Sequence, residues 1–230
     1  MKTFIAAAFL SLMWTASASV QAQEFKLVQF HMGILKKVPN LTPATDSDTA
    51  ALHEKHVAYV LSLLDSGKAV IAGPFNDNGD IAGIYIFRAK SAEEAKEWAS
   101  ADPVVAAGRL DVEMHPWFAE DVMKKPAAPI KLTTAYFAFL KRGPKWTREV
   151  TPETKALLDG HMANIKRLAE TKKLVVAGPF GDDSGLAGIF VFRVDSLEEA
   201  KALAASDPAV QAGRFLIEVH PWQVPDGVLP

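Results

Sequence analysis

Two histidines at equivalent positions of a repeated sequence are the residues best placed for acid–base chemistry. His56 follows Leu52 by four residues, which puts its imidazole on the apolar stripe of a predicted helix. His161 has the same spacing from Leu157. On such a stripe a histidine is either a core residue bonded to backbone or, beside a carboxylate that fixes its tautomer, a general acid/base. Its chemistry therefore depends on which acids the fold brings close.

The two histidines belong to two copies of one sequence unit. The run Ala-Gly-Pro-Phe at 72–75 recurs at 177–180, and His-Pro-Trp at 115–117 recurs at 220–222. Both offsets are 105, since 177 − 72 = 105 and 220 − 115 = 105. We predict a signal peptide at 1–22, a first repeat at 23–118, a linker at 119–129, a second repeat at 130–223 and a tail at 224–230.

Each copy has the pattern strand, helix, strand, strand, helix, strand. In the second copy Thr151 is a good N-cap and Pro152 suits the first helical turn. Ser91 and Ser196, each followed three residues later by a glutamate, predict capping boxes that open the second helix of each copy. The order βαββαβ is the split βαβ pattern of the ferredoxin-like fold.

The third strand of each copy is predicted at 81–88 and 186–193, and within it the runs at 84–87 and 189–192 are apolar on both alternating faces. One face must pack on the helices of its own copy, and the other needs a cover, for which the sheet of the other copy is the obvious choice. The predicted fold class is therefore α+β: two ferredoxin-like βαββαβ domains packed sheet-to-sheet as an intrachain pseudo-dimeric α+β barrel.

This topology puts the start of helix one, the end of strand two and the end of helix two at one rim. Acids follow strand two and end helix two, and an arginine lies near them in each copy. An Asx-turn after strand two and an Asp-Pro turn that ends the helix are the structural alternatives for the acids. An aspartate at a helix C-terminus opposes the macrodipole, which hints at another role. The predicted catalytic residues are His56, Asp102, His161 and Asp207, and the predicted substrate-binding residues are Asp77, Arg109, Asp182 and Arg214.

Two further histidines, His115 and His220, lie at the far end of strand four, on the same face as the neighbouring tryptophans. They line the space between the sheets or plug the end of the barrel. His53 and His56 form an i,i+3 pair, but the second copy keeps only His161, which leaves little support for a metal site.

Composition excludes several classes of function. The chain has 230 residues, 25 Lys+Arg against 27 Asp+Glu, and 49% hydrophobic residues, which is typical of a globular protein without the basic surplus of a nucleic-acid binder. It has no cysteine, so disulfides, thiolate metal sites and cysteine nucleophiles are excluded. Without a Walker loop, a dinucleotide fingerprint or a nucleophile elbow, we expect no cofactor and no metal.

The first residues predict export. Met1 and Lys2 give a basic start, an apolar stretch of signal-peptide length follows, and Val20 and Ala22 suit cleavage before Gln23, with a cut after Ala18 as the alternative. The expected protein is periplasmic or secreted, without membrane attachment after cleavage, and is a monomeric pseudo-dimer or a weak higher oligomer.

Each copy resembles the YCII-related (YciI-like) domains of the dimeric α+β barrel superfamily. The resemblance rests on the helix-one histidines, the Ala-Gly-Pro-Phe run with an aspartate after it, the Glu-Glu-Ala-Lys run, and the Asp-Pro pairs at 102–103 and 207–208. It implies a ferredoxin-like unit that pairs into a barrel and a His–Asp site. Relatives often carry an arginine shortly before the histidine; here His53-Glu54-Lys55 precedes His56, so an anion clamp at that place is in doubt.

Three functions remain open. The first is a cofactor-independent enzyme that uses a His–Asp general acid/base for elimination, isomerisation or lactone-type proton transfer on a small molecule. The second is a periplasmic module that binds a small molecule without turnover. The third is a purely structural role after export.

Overall fold

The computed structural model describes residues 25–41 and 45–230. The predicted signal peptide at 1–22 lies outside the described residues. The first repeat contains β1 (Leu27–Lys37), α1 (Asp46–Asp65), β2 (Ala69–Pro74), β3 (Ile81–Phe87), α2 (Ala92–Ser100), α3 (Pro103–Ala106) and β4 (Leu110–Glu120). The second contains β5 (Leu132–Arg142), α4 (Pro152–Glu170), β6 (Leu174–Pro179), β7 (Leu186–Phe192), α5 (Leu197–Ala205), α6 (Pro208–Gln211) and β8 (Phe215–Pro225).

Side chains at the helix starts explain where the helices begin. Thr151 caps α4 through its side chain and forms a reciprocal capping box with Thr154, because each side chain accepts the other's backbone N–H. Ser91 accepts the Glu94 N–H at the start of α2, but the Glu94 carboxylate accepts the Lys90 N–H and not that of Ser91. The predicted capping box is therefore only half formed there. At the start of both α2 and α4, the hydroxyl of the N-cap residue still accepts one of the free backbone N–H groups.

Each repeat forms one four-stranded antiparallel sheet, in the orders β2-β3-β1-β4 and β6-β7-β5-β8. This is the ferredoxin-like arrangement that the element order predicted. The last strands extend beyond the two His-Pro-Trp runs: β4 continues past Trp117 to Glu120 and β8 past Trp222 to Pro225. They extend because the first strand of each repeat pairs along its full length, with Leu27 opposite Glu120 and Leu132 opposite Pro225.

The two sheets face each other around one shared core. Buried side chains of β1 and β3, including Phe30, Ile84 and Ile86, join those of β5 and β7, including Phe137 and Val191, in a single cluster. The helices cover the outer faces, where separate smaller clusters lie. The predicted α+β fold of two ferredoxin-like units is confirmed, and burial of both faces accounts for the apolar third strands.

The edges of the sheets interlock across the repeats. An isolated bridge joins Phe75 to Trp222, and an equivalent bridge joins Trp117 to Phe180. The indole N–H of Trp222 donates to the Gly73 carbonyl at 3.1 Å, and that of Trp117 donates to the Gly178 carbonyl at 3.2 Å. Each repeat thus closes the barrel with its strand two against the last strand of the other.

Candidate active site

In the first repeat, α1 and the turn after α2 bring His56 and Asp102 together. His56 Nδ1 lies 2.8 and 2.9 Å from the two carboxylate oxygens of Asp102, which has no exposed surface. Because a carboxylate accepts hydrogen bonds, Nδ1 carries the proton, and Nε2 is left with a free lone pair in the neutral imidazole. Asp102 also caps α3, accepting the Val104 N–H at 3.1 Å. Asp102 therefore follows the C-terminus of α2 directly and is also the N-cap of α3, where its carboxylate accepts a free backbone N–H.

A buried tyrosine supplies a further donor to Asp102. Tyr85 on β3 donates its hydroxyl proton to the Asp102 carboxylate. Burial, with the hydrogen bond and charge of Asp102, raises the pKa of the Tyr85 hydroxyl well above its ordinary range. Tyr85 therefore stays protonated and holds the carboxylate in place.

The second repeat builds the same pair with a different third partner. His161 Nδ1 lies 2.8 Å from Asp207, which also has no exposed surface. Asn164, one turn further along α4, donates to the same carboxylate oxygen at 3.1 Å, and the Ala209 N–H donates to the other at 2.9 Å. Burial alone would raise the pKa of Asp207, but the hydrogen bond and charge of His161, with the Asn164 and Ala209 donors, bring it below the ordinary 3.8.

Both histidines border cavities with mostly apolar walls. A cavity of about 950 Å³ lies beside His56 and is walled by Val60, Ile84 and Leu110 among others; we call it the His56 cavity. A cavity of about 350 Å³, the His161 cavity, lies beside His161 with Ile165, Phe190 and Phe215. The side chains of His56 and His161 are 23% and 15% exposed. Within the described residues, neither Nε2 makes a hydrogen bond, and each imidazole lines its cavity.

Asp77 and Asp182 have partners other than those the topology of one repeat suggested. Asp77 binds Nδ1 of His220 at 2.7 Å, and Asp182 binds Nδ1 of His115 at 2.7 Å, each across the repeats. The topology of a single repeat predicts that both acids lie at the rim near the helix-one histidines of their own copies. The hairpin between strands two and three instead reaches over the opposite sheet, where it meets the last strand of the other repeat.

The two cross-repeat pairs are unequal. His220 has a carboxylate at each ring nitrogen, with Asp77 2.7 Å from Nδ1 and Glu218 3.1 Å from Nε2. It also stacks on Phe75 at 4.5 Å between ring centres. His115 has Glu113 3.8 Å from its Nε2, which is buried and without a hydrogen bond in the described part of the chain. Both pairs connect the sheets, in keeping with the barrel-end position foreseen for these histidines.

The two predicted arginines lie just before the last strand of each repeat. Arg214 is buried, donates to the Thr147 carbonyl at 2.8 Å, and lies with its guanidinium 6.0 Å from the Phe215 ring centre. Arg109 occupies the equivalent position, and its backbone N–H donates to the Val104 carbonyl. Arg214 thus ties the loop before α4 to β8; a substrate-binding role for either arginine stays a prediction.

Sequence reasoning missed Tyr85 and Asn164. Tyr85 lies in a strand that is otherwise apolar on both faces, and Asn164 stands three residues after His161 on the apolar stripe of α4. A lone polar group on a buried face needs a hydrogen-bond partner, and this requirement is the signal by which the sequence could have identified both residues. Among the described residues, no group of three or more His, Asp or Glu side chains is arranged to hold a metal ion.

Solved structures resemble most of this chain in fold. A putative chlorite dismutase aligns with a TM-score of 0.55 at 10% identity, over 88% of this chain and 95% of its own. A mutant chlorite dismutase from Candidatus Nitrospira defluvii in complex with cyanide aligns with a TM-score of 0.55 at 13% identity, over 86% of this chain and 91% of its own. At these identities the likeness concerns the α+β barrel fold alone.

Sequence comparison supplies the family. The uncharacterized protein YjpA of Bacillus subtilis (strain 168) is 37% identical over 65 residues, which are 28% of this chain and 74% of YjpA. The YCII-related domain model matches twice, at residues 30–117 and 136–223. The chain therefore belongs to the YCII-related domain family and carries that domain twice in tandem.

Proposed function

We propose that the protein is an exported, cofactor-independent enzyme that transfers protons on a small molecule, with His56 and His161 as the general acid/base of two sites. The observation that carries the proposal is the arrangement of each imidazole: Nδ1 is bound to a fully buried carboxylate at 2.8 Å, Nε2 makes no hydrogen bond within the described residues, and the ring lines a mostly apolar cavity. A structural histidine has no need of an unpaired nitrogen at a cavity wall.

The geometry supports a simple proton cycle. Nε2 takes a proton from an acidic C–H or O–H of the bound molecule, and the carboxylate at Nδ1 stabilises the imidazolium that forms. The same Nε2–H then returns the proton to another atom of the substrate, or to a leaving group, and regenerates the neutral ring. Elimination, isomerisation and lactone-type rearrangement share this cycle, and the apolar walls exclude water that would compete for the proton.

The cellular setting remains part of the proposal. Export rests on the basic start and short apolar run at 1–22. None of the described helices has both the length and the apolarity needed to cross a bilayer. The intrachain barrel covers the inner face of both sheets, which supports a monomeric pseudo-dimer.

Deuterium exchange tests the proton transfer without knowledge of the final product. Wild-type protein is incubated in D₂O with a panel of small carbon acids and phenols, and C–H exchange is followed by NMR. For any compound that exchanges, His56→Asn with His161→Asn lowers the rate by about 10²–10⁴. Asp159→Asn, at an exposed surface pair with Lys155, is the matched control and leaves the rate unchanged. Equal exchange by the double variant would refute the acid–base role.

Binding without turnover is the second candidate, and the nearly complete apolar lining of both cavities favours it. In that case compounds bind and perturb the histidine ring signals, but wild type catalyses no exchange. The same NMR samples separate the two candidates, because binding and exchange are read from different resonances.

A further inference from the structure

Each cavity is completed by side chains of the opposite repeat. Leu132 of the second repeat lines the His56 cavity, and Leu27, the equivalent residue of the first repeat, lines the His161 cavity. Pro225 of the second repeat likewise lines the His56 cavity, and Glu120, at the equivalent position of the first repeat, lines the His161 cavity. The crossing follows from the interlocked sheets, which bring the ends of the first and last strands of one repeat beside the first helix of the other.

The two cavities differ in volume by nearly a factor of three, at about 950 and 350 Å³. The segment between the repeats accounts for part of the difference, because Lys125, Pro126 and Ala128 extend the wall of the His56 cavity. An apolar protein cavity of about 150 Å³ already holds benzene. The His56 cavity therefore has room for several fused rings, whereas the His161 cavity has room for one or two.

The polar groups of the two cavities differ as well. His53 lines the His56 cavity, with its ring centre 6.1 Å from that of His56. The equivalent residue of the second repeat is Leu158, which lines the His161 cavity. The larger cavity thus offers two neighbouring imidazoles, with the exposed Lys125–Asp65 ion pair also on its wall, and the smaller one offers a single imidazole, with Glu120 on its wall.

We infer that the two sites are unequal: the His56 cavity takes an apolar molecule of three or more fused rings with a hydroxyl at one end, and the His161 cavity takes one of one or two rings. The hydroxyl lies at Nε2 of His56, within reach of His53, and the rings lie against the apolar wall that Leu132 completes. This deepens the proposed function by naming a substrate class, and it rests on that function for the reacting group at Nε2.

Titration with two probes tests the inference directly. The chain has six histidines, so their ring signals are few, and His56→Asn and His161→Asn assign the two that matter. Phenol shifts both signals. 9-Phenanthrol, a three-ring phenol, shifts the His56 signal at a concentration at least tenfold below the one that shifts His161. Equal response of the two signals to 9-phenanthrol, or response of neither, overturns the inference.

Two matched variants test the crossed walls. Leu132 and Leu27 are 58% and 43% exposed, so a larger side chain at either place is compatible with folding. Leu132→Trp weakens the binding of 9-phenanthrol, read from the His56 signal, at least tenfold and leaves the response of the His161 signal to phenol unchanged. Leu27→Trp weakens the binding of phenol, read from the His161 signal, and leaves the response of the His56 signal unchanged. If each variant affects the histidine of its own repeat, the wall assignment is wrong.

The outcome is separable from that of the proposed function. Size selection is read from ring signals of the resting protein, and proton transfer is read from deuterium exchange. Loss of exchange in the double histidine variant, combined with equal binding of both probes, would keep the acid–base role and remove the size inference. Selective binding without exchange in wild type would do the reverse.

Discussion

Asn164 and Tyr85 donate to equivalent buried carboxylates from different elements. Tyr85 reaches Asp102 from β3, whereas Asn164 reaches Asp207 from α4. The position equivalent to Tyr85 is Phe190, which has no hydroxyl, and the position equivalent to Asn164 is Tyr59, whose hydroxyl donates instead to the Trp98 carbonyl. Each buried carboxylate thus receives one side-chain hydrogen bond besides that of its histidine, as its burial requires. The donor residue and its element differ between the two repeats.

Exchange of the donor can be tested by making the first repeat resemble the second. Tyr85→Phe leaves Asp102 without its hydroxyl partner and lowers the free energy of unfolding by about 1–3 kcal/mol. Addition of Tyr59→Asn restores a donor at the place that Asn164 occupies. We therefore expect Tyr59→Asn to be more stable than Tyr59→Ala in the Tyr85→Phe background, measured by urea denaturation.

The wild-type background is the control for this comparison. There Tyr85 still serves Asp102, both substitutions lose the bond to Trp98, and alanine is the better helix former by about 0.5 kcal/mol. In the wild-type background we therefore expect Tyr59→Ala to be more stable than Tyr59→Asn. The same order in both backgrounds would show that Asn at position 59 does not reach Asp102.

The depressed pKa of Asp207 makes a pH-dependent contribution to stability. Its folded-state pKa lies below the ordinary 3.8, so the folded state favours the ionised carboxylate. This contribution is complete above about pH 4, near the pKa of aspartate in an unfolded chain, and is lost as pH falls through the folded pKa. Asp207→Asn lacks this contribution. The amount by which the substitution lowers the free energy of unfolding, measured in urea, therefore becomes smaller as the pH falls from 5 through the folded-state pKa of Asp207. Asp159→Asn, at an exposed pair, changes stability by about 0.5 kcal/mol or less throughout.

The two cross-repeat histidines differ in how much they stabilise the barrel. His220 bonds carboxylates at both nitrogens, whereas Nε2 of His115 is buried and without a bond among the described residues. His220→Leu loses two charge-assisted bonds, and His115→Leu loses one. We expect His220→Leu to lower the free energy of unfolding by about 1–3 kcal/mol more than His115→Leu. Tryptophan fluorescence in urea measures both, since Trp117 and Trp222 are buried at this interface; equal losses would mean that the contact of His220 with Glu218 adds no stability.

The repeat offset and the element order were enough to predict the fold. Apolar residues on both faces of the third strands also predicted that the two sheets face each other, because the sheet face turned away from the helices must be covered as well. The proximity of His56 and Asp102 followed from topology alone: α1 and the end of α2 share a rim within one repeat. Their catalytic role stays a prediction.

Contacts between repeats were beyond this reasoning. The position of Asp77 on a hairpin is fixed by its own repeat, but its partner His220 depends on how two sheets are rotated against each other. Sequence periodicity carries no information on that rotation. The Asp102 network was incomplete for a related reason, since Tyr85 resembles an ordinary strand aromatic until the buried carboxylate beneath it is seen.

The close approach of the sheets at Gly73 makes the barrel sensitive to a single methyl group. A Cβ at Gly73 would lie 1.8 Å from the Gln223 carbonyl oxygen, and one at Gly178 would lie 1.8 Å from that of Phe118. Because both obstacles are backbone, the strands must separate, and Gly73→Ala lowers the free energy of unfolding by about 3 kcal/mol or more. The control is Gly67→Ala: its Cβ meets open space, and its positive φ of 74° costs only about 1 kcal/mol. Urea denaturation compares the two variants, and similar losses would mean that the repeats do not depend on contact at this edge.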